Sequence, residues 1–115
     1  MATQVSDIVF EPLSDVLGAE VKGLDLREPL DDATVAELKR GWYEHIVLVF
    51  RDQDISNEDQ MRFCRYFGEL EEVRTGKQAN KAMSHTMMIT NVRDSGYATA
   101  LEDGEMWFHG DQCYY

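Results

Sequence analysis

Residues 46–53 read IVLVFRDQ, and this stretch decides the predicted fold. Its first five residues are apolar or β-branched; such a run is too short for a helix and is typical of a strand that is buried on both faces. The polar residues from Arg51 onward end the run. We therefore predict a buried strand at 46–50, with Arg51 and Gln53 as structural hydrogen-bond donors that fix the following turn.

A helix is predicted immediately before this strand. The segment PLDD, which ends at Asp32, gives a turn and an aspartate N-cap, because an aspartate side chain accepts the free N–H groups of a first helical turn. Val35, Leu38 and Trp42 then form one apolar stripe. We expect Trp42 in the core and His45 at the end of the helix, where the partial negative charge of the C-terminus favours an imidazolium.

A second helix is predicted after the strand. Ser56 and Asp59 resemble a capping box, with Asp in place of the usual Glu or Gln. The helix is expected to run to about Phe67 and to stop at Gly68. Cys64 lies on its apolar stripe. Neither of the two cysteines has a zinc-binding spacing, so we expect both to be buried or half-buried free thiols.

Two strands are predicted near the N-terminus. Residues 8–13 read as a short strand that Pro12 interrupts. Residues 19–26 alternate between apolar and polar side chains at several positions, which indicates a half-buried strand, with Gly18 and Gly23 allowing turns or a bulge.

The C-terminal part is predicted to become β structure. Residues 71–86 lack periodicity and read as a long loop, 87–92 as a strand, and 107–115 as another strand because of its aromatic residues. Two tyrosines at 114–115 would leave a strand edge and apolar surface uncovered. We therefore expect residues 1–115 to form one partial domain of a longer chain.

Composition excludes several classes of function. The chain has 115 residues, 43% of them hydrophobic and 29% charged, which is typical of a soluble globular protein. Its net charge of −11 argues against nucleic acid or an anionic membrane as a partner. No apolar run approaches the roughly 18 residues of a membrane span, and no secretory signal is present. We expect a cytoplasmic protein, and a homo-oligomer remains open.

The positive charge is unevenly distributed. Residues 73–93 contain four basic residues and no acidic residue, in an otherwise acidic chain. The four are Arg74, Lys77, Lys81 and Arg93. This segment is either a solvated basic loop or a surface that faces an anionic ligand.

His109 and Asp111 form the candidate metal site. Residues i and i+2 of a strand point to the same face, so an imidazole nitrogen and a carboxylate oxygen would converge there, with room beside Gly110. These are two corners of the 2-His-1-carboxylate triad that binds iron(II) and leaves three positions open. An HxD pair is weak evidence by itself, since a hydrogen-bonded histidine and acid is the commoner explanation.

Several further motifs follow one another in the order found in a known family. They are GAEV at 18–21 with LDL at 24–26, PLDD at 29–32, VLVFRDQ at 47–53, FGELE at 67–71, TNV at 90–92 and WFHGD at 107–111. Because the motifs occur in this order, the chain resembles the taurine dioxygenase (TauD/TfdA) family over nearly its whole length. That family also contains the enzymes that begin degradation of 2,4-dichlorophenoxyacetate.

The resemblance implies an α+β fold that forms the N-terminal part of a double-stranded β-helix (jelly roll) with flanking helices. It implies iron(II) bound by His109, Asp111 and a second histidine, and a dioxygenase that uses O2 to decarboxylate 2-oxoglutarate to succinate and CO2 while it hydroxylates a small organic substrate. Phe108 departs from the family, which usually has Trp-His or a close variant at the ligand. The family's distal histidine and 2-oxoglutarate-binding arginine lie well beyond residue 115, so these 115 residues alone are not expected to be active.

Further substrate contacts are predicted from the same resemblance and from the basic segment. The family uses the region of residues 71–86 as part of a lid, which makes Lys77, Lys81 and His85 candidate contacts to an anionic substrate. Asn91 is a weaker candidate, since a satisfied asparagine at a strand edge is the simpler explanation.

Two other classes of function were weighed. The chain could be a non-catalytic fragment or degenerate homologue that acts as an interaction or assembly module. A cupin-like metal protein with another reaction would carry ligands at HxH spacing, and the sequence contains none.

Overall fold

The computed structural model describes residues 5–71 and 108–110 of the chain. The chain divides into two compact units, Met1–Leu70 and Glu71–Tyr115. The first unit is an α+β arrangement that begins with a 3-10 turn at Val5–Asp7. Its further elements are β1 (Val9–Pro12), β2 (Ala19–Lys22), α1 (Asp32–His45), β3 (Leu48–Val49) and α2 (Asn57–Arg65).

The three strands form one sheet in the order β1-β2-β3. β1 runs antiparallel to β2, with Pro12 opposite Ala19, and β3 runs parallel to β2, with Leu48 also opposite Ala19. Parallel neighbours need a long connection, which α1 supplies. Pro12 is tolerated because β1 lies at an edge of the sheet, where a missing N–H breaks no ladder.

The strands predicted near the N-terminus are confirmed, although each is shorter than predicted. Gly18 and Gly23 bracket β2 with φ angles of 93° and 87°, in the region that favours glycine. A Cβ atom on Gly23 would also overlap the Asp7 carbonyl. These turns fix the ends of β2, whose Ala19 and Val21 are buried.

The predicted cap and end of the first helix are confirmed. The Asp31 carboxylate accepts a hydrogen bond from the Thr34 N–H at 2.8 Å, and α1 ends at His45. An N-cap of this kind contributes about 1 kcal/mol to stability.

The buried face of α1 differs from the predicted stripe. Thr34, Leu38 and Gly41 are buried, whereas Trp42 is 41% exposed, so the prediction that Trp42 lies in the core was wrong. The reason is the close approach of Gly41 to the ring of Phe10, which a Cβ atom on Gly41 would overlap. This approach turns the helix so that Gly41 faces the sheet.

The core lies between α1, the sheet and the segment that follows β2. Its buried apolar members are Val21, Leu24, Leu26 and Leu38. Leu38 is fully buried and contributes about 1.5–3 kcal/mol by removal from water.

The capping box that was predicted for α2 is confirmed. Ser56 Oγ accepts from the Asp59 N–H at 3.1 Å, and the Asp59 carboxylate accepts from the Ser56 N–H at 3.0 Å. Phe63 and Phe67, four residues apart, pack ring to ring at 5.3 Å and take the core-facing side. Cys64 follows Phe63 on α2 but is exposed, so the prediction that it is buried or half-buried was wrong.

The strand predicted at 46–50 is shorter and less buried than expected. β3 comprises only Leu48–Val49, and both residues are half-buried. Ile46 is instead the C-cap of α1, with φ 72° and ψ −45°. The first residue of the predicted strand, Ile46, therefore belongs to the end of α1.

Side chains of the segment 51–66 tie it to the segment after β2. Gln53 Oε1 accepts from the Leu26 N–H at 2.9 Å, and its amide nitrogen donates to the Leu24 carbonyl at 3.1 Å, which confirms its predicted structural role. Arg62 donates to the carbonyls of Leu26 and Arg27 at 3.2 and 2.6 Å. Arg51, by contrast, pairs with Glu20 of β2 at 3.4 Å.

We predict that Gly41→Ala lowers the free energy of unfolding of the chain by about 1–3 kcal/mol, because the added methyl group overlaps the Phe10 ring. Alanine favours a helix over glycine by about 1 kcal/mol, so the substitution would raise the free energy of unfolding if the space beside Gly41 were open. Urea titration of the chain measures the effect. In a Phe10→Val background, which removes the ring, the same change should become neutral or stabilising. A gain in the unaltered background would contradict the close approach.

We also predict a loss of stability in acid that involves Asp25. Hydrogen bonds from the Arg27 guanidinium, and then from the Arg27 N–H, lower the Asp25 pKa from 3.8 to about 2. A lowered pKa stabilises the fold above pH 3.8, and this contribution is lost as the pH falls through about 2. Asp25→Asn should therefore flatten the decline of the unfolding temperature across that window. Asp15→Asn, in the exposed turn before Gly18, is the matched control; an equal effect would refute the assignment.

Candidate metal centre

His109 is the one predicted metal ligand among the described residues. Phe108 forms a bend, His109 and Gly110 lie in neither helix nor strand, and all three residues are exposed. The predicted strand at 107–115 is therefore wrong for 108–110. Glycine weakens a strand, and a strand forms only where a neighbouring strand supplies hydrogen bonds to its backbone. The strand propensity of the aromatic residues was therefore not sufficient to predict the conformation of 108–110.

The other predicted site residues lie outside the described residues. They are Lys77, Lys81, His85, Asn91 and Asp111, together with the strand predicted at 87–92 and all but the first residue of the loop predicted at 71–86. Their roles stay predictions.

The donor chemistry of the site fits a first-row transition metal. The exposed His109 imidazole supplies a nitrogen donor, and Asp111, two residues on, supplies a carboxylate. These are two of the three ligand types of the iron(II) triad. Within 5–71 and 108–110 there is no group of three or more His, Cys, Asp or Glu residues that could hold a metal ion.

The contacts of His45 are structural. It is half-buried at the end of α1, its ring stacks on Phe10 with centroids 6.0 Å apart, and its carbonyl accepts from the Gly18 N–H at 2.8 Å. The prediction that the helix end accounts for this histidine agrees with that position.

Two carboxylates at helix starts have a lowered pKa, and both shifts have structural causes. The Asp31 pKa is lowered by the Thr34 N–H and hydroxyl, and the Asp59 pKa by the N–H and hydroxyl of Ser56 and then by Arg62. Perturbed pKa values often mark functional sites, but helix caps and ion pairs perturb them too. Both carboxylates are helix caps, so neither indicates a catalytic acid or base.

Sequence reasoning missed two anchoring side chains of α2. Arg62 donates to two carbonyls after β2, and the Tyr66 hydroxyl accepts from the Leu30 N–H at 3.0 Å. All three hydrogen bonds join residues 35 or 36 positions apart, so no local pattern indicates them. In the part of the chain described, no helix has the length and apolar character needed to span a bilayer.

Comparison with known proteins places the chain in a family. Residues 10–115 match the family described as "Taurine catabolism dioxygenase TauD, TfdA family". The (S)-phenoxypropionate/alpha-ketoglutarate-dioxygenase of Sphingobium herbicidovorans is 34% identical over 112 residues, which cover 90% of this chain and 34% of that protein. The alpha-ketoglutarate-dependent 2,4-dichlorophenoxyacetate dioxygenase of Cupriavidus pinatubonensis is 44% identical over 64 residues, which cover 56% of this chain and 22% of that protein.

Solved structures agree with the sequence match. The crystal structure of AAD-2 in complex with Mn(II) and N-oxalylglycine has a TM-score of 0.55 at 41% identity, and covers 56% of this chain and 23% of its own. A taurine dioxygenase from Burkholderia xenovorans has a TM-score of 0.53 at 36% identity, over 55% and 22% of the two chains.

The chain spans about a third of the length of the relatives that match most of it. The family match nevertheless spans residues 10–115, a range that includes His109 and Asp111. The chain therefore belongs to the taurine catabolism dioxygenase (TauD/TfdA) family, whose reaction uses iron(II), 2-oxoglutarate and O2.

Proposed function

We propose that this chain contributes the N-terminal part of an iron(II)- and 2-oxoglutarate-dependent dioxygenase that hydroxylates a small, anionic organic molecule. The observation that carries the proposal is the family match over 10–115, which includes both donors of the HxD pair. Relatives 32–34% identical over 112–114 residues are named as alpha-ketoglutarate dioxygenases. That agreement does not favour a non-catalytic interaction module.

In this proposal His109 and Asp111 would hold the iron. The bound iron would couple decarboxylation of 2-oxoglutarate to insertion of one oxygen atom of O2 into a C–H bond of the substrate. The other oxygen atom enters succinate, so substrate, 2-oxoglutarate and O2 give hydroxylated substrate, succinate and CO2. A second histidine and a carboxylate-binding arginine would come from residues beyond 115. The Mn(II) and N-oxalylglycine in the structure of AAD-2 stand in for iron(II) and 2-oxoglutarate.

The jelly-roll core also belongs to this proposal. The described α+β unit superimposes on family structures with TM-scores of 0.53–0.55. Its sheet and helices would then be the flanking layer of the larger fold.

The anionic substrate class rests on two observations. The names of two relatives specify phenoxypropionate and 2,4-dichlorophenoxyacetate, both of which are aryloxy carboxylates. Residues 73–93 carry four basic residues and no acidic residue, in a chain with a net charge of −11. A cationic segment in an acidic protein would attract such a carboxylate.

We predict that His109→Ala and Asp111→Ala each reduce iron(II)-dependent decarboxylation of 2-oxoglutarate to background, because either change leaves too few donors for the metal. The assay uses the product of the complete reading frame, and Mn(II) affinity measured by calorimetry gives a second readout. His45→Asn, at the end of α1, is the matched control and should retain activity. Activity that survived both alanine changes would refute the site.

We predict that Lys77→Glu, Lys81→Glu or His85→Glu raises the KM for an aryloxy carboxylate by about five- to tenfold, the size expected for a lost charge contact. Decarboxylation of 2-oxoglutarate without substrate should not change. Lys39→Glu, on α1, controls for the change in net charge. If all three variants kept the KM of the parent, the basic segment would have no role in substrate binding.

A further inference from the structure

Residues 53–67, which we name the strap, comprise α2 and the residues on either side of it. Every residue of α2 is described, and none of them is buried. Phe63 and Phe67 pack against the core cluster but are only partly buried. Isolated helices shorter than about 12–15 residues are marginal in water, and α2 has nine residues. The strap therefore depends on its contacts with neighbouring segments.

Five hydrogen bonds fasten the strap to residues 24–30, and in each of them the strap supplies a side chain. The side chains are those of Gln53, Arg62 and Tyr66. Two of the bonds satisfy backbone N–H groups: the Leu26 N–H donates to Gln53 Oε1 at 2.9 Å, and the Leu30 N–H donates to the Tyr66 hydroxyl at 3.0 Å. Both amides would lose their partner if the strap moved away.

The fastening side chains are connected to one another through the strap. The Asp59 carboxylate accepts from the Ser56 N–H in the capping box and also accepts from Arg62 at 2.9 Å. The Phe63 ring packs edge to face on Tyr66, with centroids 6.5 Å apart. Because these contacts share their members, losing one weakens the others, which favours their loss together.

The two ends of the strap are suited to act as hinges. Asp52, directly before it, has a φ of 57°, in the left-handed region that aspartate tolerates better than most residues. At Gly68, directly after it, no described atom other than those of the chain neighbours lies within 4 Å of the position of a Cβ. Hinges are a few loop or element-terminal residues, often small, that absorb changes in backbone angles. A change of angles at these positions would move the strap without moving the core.

The sheet and α1 are held by contacts of their own. The Asp31 cap fixes the start of α1, and Gly41 lies against the Phe10 ring. β2 pairs with a strand on each side. Neither set of contacts includes a residue of the strap. Elements with few buried contacts open at a lower free energy than the core does, so these two parts of the unit need not open together.

We propose that the strap and residues 24–30 separate from each other as one cooperative event while the sheet and α1 stay folded. When the strap is closed, its three side chains hold residues 24–30; when it opens, the Leu26 and Leu30 amides meet water. The second compact unit begins at Glu71, so opening also frees the chain that leads into that unit. The proposal does not depend on the proposed activity.

Amide hydrogen exchange of the product of the complete reading frame tests the proposal. The amides of Leu26, Leu30 and Phe63 should share one degree of protection, within about threefold, because one opening exposes all of them. They should exchange at least about tenfold faster than the amides of Val21 in β2 and Leu38 in α1. Exchange as slow as that of Val21 and Leu38 would overturn the proposal, since the strap would then open only when the whole unit unfolds.

Two variants test whether the hydrogen bonds are lost together. Tyr66→Phe should speed exchange of the Leu26 amide about three- to tenfold, although Gln53, the partner of that amide, is unchanged. Gln53→Ala should likewise speed exchange of the Leu30 amide, whose partner Tyr66 is unchanged. Tyr43→Phe removes a hydroxyl from an exposed tyrosine of α1 and is the matched control, which should alter neither amide.

The result that would contradict the proposal differs between amides. If Tyr66→Phe accelerated only Leu30, and Gln53→Ala only Leu26, the bonds would break independently and the proposal would be overturned. Equal acceleration of the Val21 and Leu38 amides in either variant would also overturn it, because the change would then have weakened the whole unit.

Discussion

The close approach of α1 to β1 determines much of the first unit. With no Cβ on Gly41, the Phe10 ring lies against the helix backbone. That approach selects Thr34 and Leu38 as the buried side of α1 and leaves Trp42 on the outer side. At the nearby end of the helix, backbone carbonyls receive the N–H groups that hold β2 beside β3.

Those hydrogen bonds connect the helix end with the register of the sheet. The His45 carbonyl accepts from Gly18, and the Val47 carbonyl accepts from Ala19, at 2.8 and 2.9 Å. The parallel pairing of Ala19 with Leu48 follows from them. A parallel strand pair costs considerable loop-closure entropy, and a short helix with a fixed end is one way to reduce it.

The sequence predicted those features whose causes are local. The caps at Asp31 and Ser56 and the turns at Gly18 and Gly23 depend on backbone groups within a few residues, so their patterns are visible without a fold. The orientation of Trp42 was not predictable in this way, because it depends on a ring 32 positions earlier in the chain. The short β3 has the same explanation: apolar composition indicates burial but does not show which neighbours supply it.

The candidate metal site could likewise be predicted only in part from the sequence. An HxD pair supplies only the two donors that are adjacent in sequence, whereas an iron(II) triad needs a third donor from elsewhere in the chain. His109 lies in exposed backbone outside any strand, so the alternation argument does not apply at that residue. The proposed assignment of both donors rests on the resemblance to the family, whose match spans residues 10–115.

The described stabilising contacts and the two candidate metal donors therefore lie in different stretches of the chain. The caps, the core and the helix–sheet contact lie within the first compact unit, and both donors lie within the second. A unit of about 70 residues buries a modest fraction of its surface and has little stability to spare. A strained, exposed isoleucine at position 46 reduces that stability further.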